Sequence, residues 1–205
     1  MLIPAEHHQA NRRIEAEQRC VSLVSLKTCE EAEARFVFTH LDQLSDDLRL
    51  DQVTSLVDFT RGLGPHILAG DFNVFQRSDC SDEAWGKIVG DAESKGWTPP
   101  PETTKAINKL LSAGYRDSFW ESDNHKTGEV DCDVEGAAGD TKFPGATCWV
   151  VKPLLRIDYA FLSSELVSAG VHVMQHQRVL DDASDHFPVL VDFTGVATDV
   201  QVSEN

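Results

Sequence analysis

Four short apolar runs contain or adjoin residues able to bind metal ions or move protons, and this repeated design constrains the chain more than any other feature. Residues 36–38 run into His40 and Asp42, and residues 66–69 run into Asp71 and Asn73. Residues 155–162 carry Asp158 inside an otherwise apolar stretch, and Asp185 and His186 stand just before residues 189–193. Each run has the length and composition of a strand. Residues 20–27 (CVSLVSLK) alternate apolar and polar side chains, so they read as a half-buried strand pairing antiparallel with residues 36–39 (FVFT) across a charged connection. A further strand is expected over residues 171–178.

Helices are expected between these runs. Residues 46–61 have Ser45 as a cap, Asp46 and Asp47 at the positive end, and Leu50, Val53, Leu56, Val57 and Thr60 on one face. Gly62, Gly64 and Pro65 end that helix. A weaker helix is expected over residues 82–95 and another over residues 102–113, on either side of Pro99, Pro100 and Pro101. Strands and helices alternate, but a hairpin is present too, which favours an α/β sandwich with mixed sheets over a purely parallel sheet. Residues 1–19 form a polar N-terminal segment that reads as loop or short helix. Residues 20–195 form the domain, residues 123–148 read as a long loop inside it, and residues 196–205 read as a flexible tail.

Charge narrows the partners. Asp and Glu number 34 against 18 Lys and Arg, a net charge of −16. A protein that binds nucleic acid by neutralising its backbone clusters cations, so the balance does not favour broad attraction to nucleic acid. It is compatible with an enzyme that meets phosphate through hard cations held by carboxylates. Arg116, Lys126, Lys142, Lys152 and Arg156 are candidates for a basic rim, and core packing is the expected role of Trp120 and Trp149. The five cysteines show no C-x-x-C spacing and an odd count, which reads as reduced thiols of a cytoplasmic or nuclear protein, although Cys132 and Cys148 are able to pair across a loop. No apolar run is long enough to span a membrane, and the sequence does not specify an oligomeric state.

The strand-end residues suit phosphate chemistry. Attack on a phosphate ester builds negative charge on the phosphoryl oxygens, which a carboxylate-held divalent cation offsets. A carboxylate or imidazole must also take a proton from water. In Gly70-Asp71-Phe72-Asn73, a period of two puts Asp71 and Asn73 on one face and Phe72 on the other, while Gly70 permits a close backbone approach. Each piece alone has a plainer explanation. Asp-x-Asn at a strand end is common turn chemistry. Ser184 and Asp185 favour local backbone bonds. His40 alone fits a structural histidine, and Asp158 fits a salt bridge to Arg156.

Taken in order, THLD, GDFN, RIDYAFLS and SDHFPV resemble the signature blocks of the endonuclease/exonuclease/phosphatase superfamily, over roughly residues 20–193. That group includes deoxyribonuclease I, abasic-site endonucleases, sphingomyelinases, inositol-polyphosphate phosphatases and deadenylases. The resemblance implies a deoxyribonuclease I-like fold, a four-layered α/β sandwich with two mixed β-sheets. It implies a Mg²⁺- or Mn²⁺-dependent phosphoric ester hydrolase acting on a phosphate-ester substrate. Asp71 matches the residue that orients or deprotonates the attacking water, and Asn73 matches the one that contacts the phosphate. Asp158 matches the partner of the catalytic imidazole, which His186 matches. His40 matches a phosphate-contacting or acid histidine. Asp185, with Asp71 and Asn73, matches the metal-binding set.

The sequence departs from the pattern at its start. The Asn-ending strand and the block bearing the main metal-binding Glu have no counterpart before Cys20, and Glu6, Glu15 and Glu17 lie in polar surroundings. The fold is therefore expected to be N-terminally incomplete, with an exposed edge or apolar surface where those strands belong. A catalytically impaired scaffold or binding protein of the same fold is the alternative reading.

Overall fold

A computed structural model describes residues 2–3, 6–9, 12–15, 19–27, 33–80, 82–123, 147–148, 155–179 and 183–195. In chain order the elements are β1 (Leu2–Ile3), β2 (Glu6–Gln9), β3 (Arg12–Glu15), β4 (Arg19–Lys27), β5 (Glu33–His40), α1 (Asp46–Thr60), β6 (Ile67–Asp71), α2 (Asp82–Ser94) and α3 (Lys105–Ser112). There follow β7 (Arg116–Asp117), α4 (Ser118–Glu121), β8 (Asp158–Leu162), α5 (Ser164–Ser168), β9 (His172–Arg178) and β10 (Val189–Thr194).

The main sheet runs in the order β1-β4-β5-β6-β8-β7. β4 and β5 form the expected antiparallel pair, from Val21 opposite Thr39 to Lys27 opposite Glu33. β5 and β6 are parallel, because α1 carries the chain back between them. β6 and β8 are antiparallel. The sheet is therefore mixed. A second sheet pairs β9 with β10 antiparallel, and α4 contacts both β8 and β9. The α/β architecture with a mixed sheet and a second sheet thus agrees with the expectation.

Burial divides the main sheet by face. Val37, Leu68 and Phe161 are fully buried on one face. They pack with Val53 and Leu56 of α1 and with Ala106, Ile107 and Leu110 of α3. Ser45 caps α1 as expected, its side chain accepting from the Leu48 amide. On the opposite face, Val24, Leu26 and Phe38 are 40%, 53% and 44% exposed. Phe36 and Phe38 stack on each other at 6.3 Å. An exposed apolar surface is thus present on β4 and β5.

Several local expectations need correction. Residues 1–19 do not read as loop or helix where they are described: β2 and β3 form a hairpin with Gln9 opposite Arg12, and β1 pairs with the start of β4. Their polar composition hid this, since a strand of polar residues gives no apolar alternation to detect. The third helix starts at Lys105 rather than residue 102, with Thr104 in the cap position. β8 begins only at Asp158, because the preceding residues leave the ladder to build a buried ion cluster described below. Residues 124–146 and 196–205, with Trp149, Lys126, Lys142 and Lys152, lie outside the described residues. Cys20 and Cys80 are free thiols, and the pairing of Cys132 with Cys148 lies outside the described residues because Cys132 does. Among the described residues no helix is long and apolar enough to cross a membrane.

Candidate active site

The sheet register aligns the site. His40 ends β5 opposite Asp71, which ends β6, and Asp71 in turn lies opposite Asp158, which begins β8. These three residues form one row across three strands, on the same face as Phe36 and Phe38. Imidazole and carboxylates are thereby held at a sheet end by backbone bonding rather than by a loose loop.

Gly70 is required for this alignment. Its φ is +144°, and a Cβ there would lie 1.8 Å from the Thr39 carbonyl oxygen. Any side chain would push β6 away from β5 directly beside the row. Beyond Asp71 the alternation predicted from GDFN fails in part. Phe72 turns into the core as expected, fully buried, and packs edge-on against Tyr159 and Phe161. Asn73, however, adopts a left-handed φ of 49°, so it does not continue the strand face beside Asp71. Its backbone amide donates to Asp71 Oδ1 at 2.7 Å, and its side-chain amide donates to the Leu41 carbonyl at 2.9 Å. Asn73 therefore clamps the turn and orients Asp71.

His186 approaches from the segment before β10. Its Nδ1 donates to Asp158 Oδ2 at 2.8 Å. A bridge between Cys148 and His186 and a bond from the Phe187 amide to the Thr147 carbonyl at 2.7 Å fix the approach. Asp158 is thus paired with His186, and the salt bridge to Arg156 that its sequence context allowed does not form. Arg156 is fully buried against Asp79 and Asp117 instead, which also removes it from any basic rim. His40 Nε2 stands 3.4 Å from Asp71 Oδ2 and is the most exposed member of the row.

Burial is the largest influence on Asp71 and raises its pKa. Asp158 raises it further, while the Asn73 amide, His40 and His186 oppose the shift. For His186, burial works against the charged form, but the hydrogen bond and charge of Asp158 outweigh it and raise the imidazole pKa. The arrangement therefore holds a partly desolvated carboxylate near an imidazole biased towards imidazolium.

Asp71, Asp158 and His186 each offer a ligand atom, all within 4.8 Å of one another. Two carboxylates with remaining water and phosphate positions suit Mg²⁺, so this donor set fits a hard divalent cation. Asp185 lies outside the group, exposed, with Ser184 Oγ donating to its carboxylate. Asn73, the other expected ligand, has its side-chain amide nitrogen engaged with Leu41.

Sequence reasoning missed the supports of the site. Thr147 Oγ1 accepts from the backbone amides of both Ile157 and Asp158 at 3.1 Å, and nothing in GATCW signals that role. Asp79 and Asp117 hold Arg156, and the only signal available was a cation beside an apolar strand.

Comparison with known proteins agrees with this fold. A family protein from Bacteroides thetaiotaomicron is 20% identical and superposes with a TM-score of 0.55, over 86% of this chain and 55% of that one. A conserved protein of unknown function from Enterococcus faecalis is 18% identical with a TM-score of 0.54, over 88% and 57%. The human Nocturnin catalytic domain, with bound sulfate, is 16% identical with a TM-score of 0.52, over 88% and 54%. The chain thus spans a little over half the length of each, and at these identities the likeness concerns the fold. No curated protein matches it in sequence. The model of the Endonuclease/Exonuclease/phosphatase family matches residues 18–186, most of the chain and all of the residues in the row. The chain belongs to the Endonuclease/Exonuclease/phosphatase family.

Proposed function

We propose that this chain carries the catalytic end of a metal-dependent phosphoric ester hydrolase. The observation that carries the reading is the cross-strand row His40–Asp71–Asp158 completed by His186 on Asp158. Asp71 accepts a proton from the attacking water, and its burial makes it a stronger base than a solvated carboxylate. The Asp158–His186 pair holds an imidazolium that donates to the phosphoryl oxygens as charge grows on them. Asn73 keeps Asp71 in place, and His40, exposed beside it, is positioned to contact phosphate or supply a proton. Asp71 and Asp158 are the residues that would hold Mg²⁺ or Mn²⁺. The bound cation would supply charge neutralisation for the phosphoryl group.

The substrate class proposed is a phosphodiester or phosphomonoester, with nucleic acid disfavoured by a net charge of −16. The test is hydrolysis of bis-(p-nitrophenyl) phosphate, plasmid DNA and inositol phosphates, with and without Mg²⁺. Asp71→Ala and His186→Ala are expected to lower the rate by about 10²–10⁴-fold, the range for a proton-transfer residue. Rates unchanged by both substitutions, or independent of divalent metal, would overturn the reading. The scaffold alternative draws on the open apolar face beside the row. It predicts a folded protein without hydrolysis, in which Asp71→Ala leaves partner binding intact.

A further inference from the structure

We propose that Arg156, held by Asp79 and Asp117, is a positioning residue of the site: its buried ion cluster fixes the segment carrying Asp158 against the turn that follows Asp71. The inference rests on the hydrolase reading for its functional meaning, but its geometry stands separately.

The cluster is fully enclosed. The Arg156 side chain has no exposed surface. It donates to both carboxylate oxygens of Asp117, at 3.0 and 2.8 Å, and to Asp79 Oδ1 at 2.9 Å. The Tyr159 hydroxyl donates to the other Asp79 oxygen at 3.1 Å. The guanidinium lies over the rings of Tyr159 and Phe119, at 4.2 and 4.9 Å. Burial disfavours its charge, yet Asp117, Tyr159 and Asp79 together hold its pKa above the ordinary value.

Stability alone does not account for such a cluster. One guanidinium and two carboxylates leave a net negative charge in the interior. A well-packed apolar set of similar volume is often as stable as a buried ion pair, or more so. What the ions add is direction, because the planar fork accepts few geometries. Two of the three anchored segments adjoin site residues, and the third, at Asp117, pairs with Phe161 further along β8. Asp79 ends a single 3-10 turn, Arg77–Asp79, that follows the Asp71–Asn73 turn in the chain. Asp117 ends β7 and caps α4, accepting from the Phe119 amide. Arg156 immediately precedes Ile157 and Asp158. The Ile157 carbonyl accepts from the amide of Phe72, the neighbour of Asp71, at 2.8 Å. A shift of Arg156 therefore moves Asp158 relative to Asp71.

Two variants test this without emptying the cavity. Asp79→Asn keeps the shape and removes one charge, and Arg156→Lys keeps the charge and removes the fork. Each is compared with the unmodified chain in hydrolysis of bis-(p-nitrophenyl) phosphate with Mg²⁺, in urea unfolding, and in amide hydrogen exchange. A positioning role predicts a fall in kcat of at least about tenfold, with KM within about twofold, because small misplacements of reacting groups are costly. It also predicts that Arg156→Lys costs nothing further once Asp158→Ala is present. The amides of Asp158 and Phe72 are expected to exchange at least about tenfold faster relative to those of Leu68 and Phe161. If the unmodified chain hydrolyses nothing, the hydrolase reading fails, and the exchange pattern alone decides this inference. Uniformly faster exchange, or rates that fall only with the folded fraction, would overturn it. Should Arg156→Lys fail to fold, Asp79→Asn carries the same three readouts.

Discussion

The two faces of the main sheet share the same strands and differ in almost everything else. On one face Val37, Leu68 and Phe161 are fully buried under α1 and α3. On the other, Val24, Leu26 and Phe38 are 40–53% exposed, and the face ends in the row His40–Asp71–Asp158. The helix-covered face supplies the stability that holds the register, and the register supplies the site on the open face. A polar row at a sheet end needs no dense packing of its own, provided the reverse of the same strands is pinned.

The strongest way to break that comparison is to empty the covered face. Phe161→Ala removes a ring packed edge-on against Phe72 and stacked on Tyr159. The expected loss is about 3–5 kcal/mol by urea unfolding, the range for deleting a buried aromatic side chain. Because Phe72 follows Asp71 directly, hydrolysis should fall even under conditions where the variant remains folded. A loss below about 1 kcal/mol would mean that this face is not the load-carrying core.

How much of this was legible in sequence follows the same division. The covered face was readable, since alternation in FVFT and periodic residues from Leu50 to Thr60 announce a sheet packed on a helix. Asp71, Asp158 and His186 stood out because they end, interrupt or precede an apolar run, and the three lie together. The Arg156 partners were not, because Asp79 and Asp117 are distant in sequence and a buried fork leaves no local pattern. The left-handed turn at Asn73 was hidden behind strand alternation that fitted GDFN equally well. The polar β2–β3 hairpin carried no apolar signal at all.

A smaller effect separates site from core on the open face itself. Burial raises the pKa of Asp71, so the folded state holds that proton more tightly than the unfolded chain does. The stabilising contribution is present below the ordinary carboxyl pKa and is lost as pH rises through the raised one. His186, raised chiefly by Asp158 against the opposing effect of burial, likewise contributes below the ordinary imidazole pKa and loses that contribution as pH rises through its own raised value. Asp71→Asn is therefore expected to raise Tm at neutral pH in the presence of a chelator. The gain should shrink on acidification and vanish below the ordinary carboxyl range. Such a trade is common where a site demands a charge that the fold alone would not retain. A variant less stable than the unmodified chain at neutral pH would show that the carboxylate is a net structural asset, and the open face would then resemble the covered one.

The smallest expected effect bears most directly on whether the open face is open. Phe38→Ser keeps β5 paired on both sides, since its ladder bonds run to β4 and β6 through the backbone. The side chain it removes is 44% exposed and stacks only on Phe36 among the ring contacts of the described residues. The change in unfolding free energy should stay within about 0.5 kcal/mol, as for surface positions, against several kcal/mol for Phe161→Ala. Binding of a dye that reports exposed apolar surface should fall, because the substitution removes part of a contiguous patch with Val24 and Leu26. If Phe38→Ser instead costs more than about 2 kcal/mol, the face is packed against something in solution. The two faces would then differ in what covers them rather than in whether they are covered.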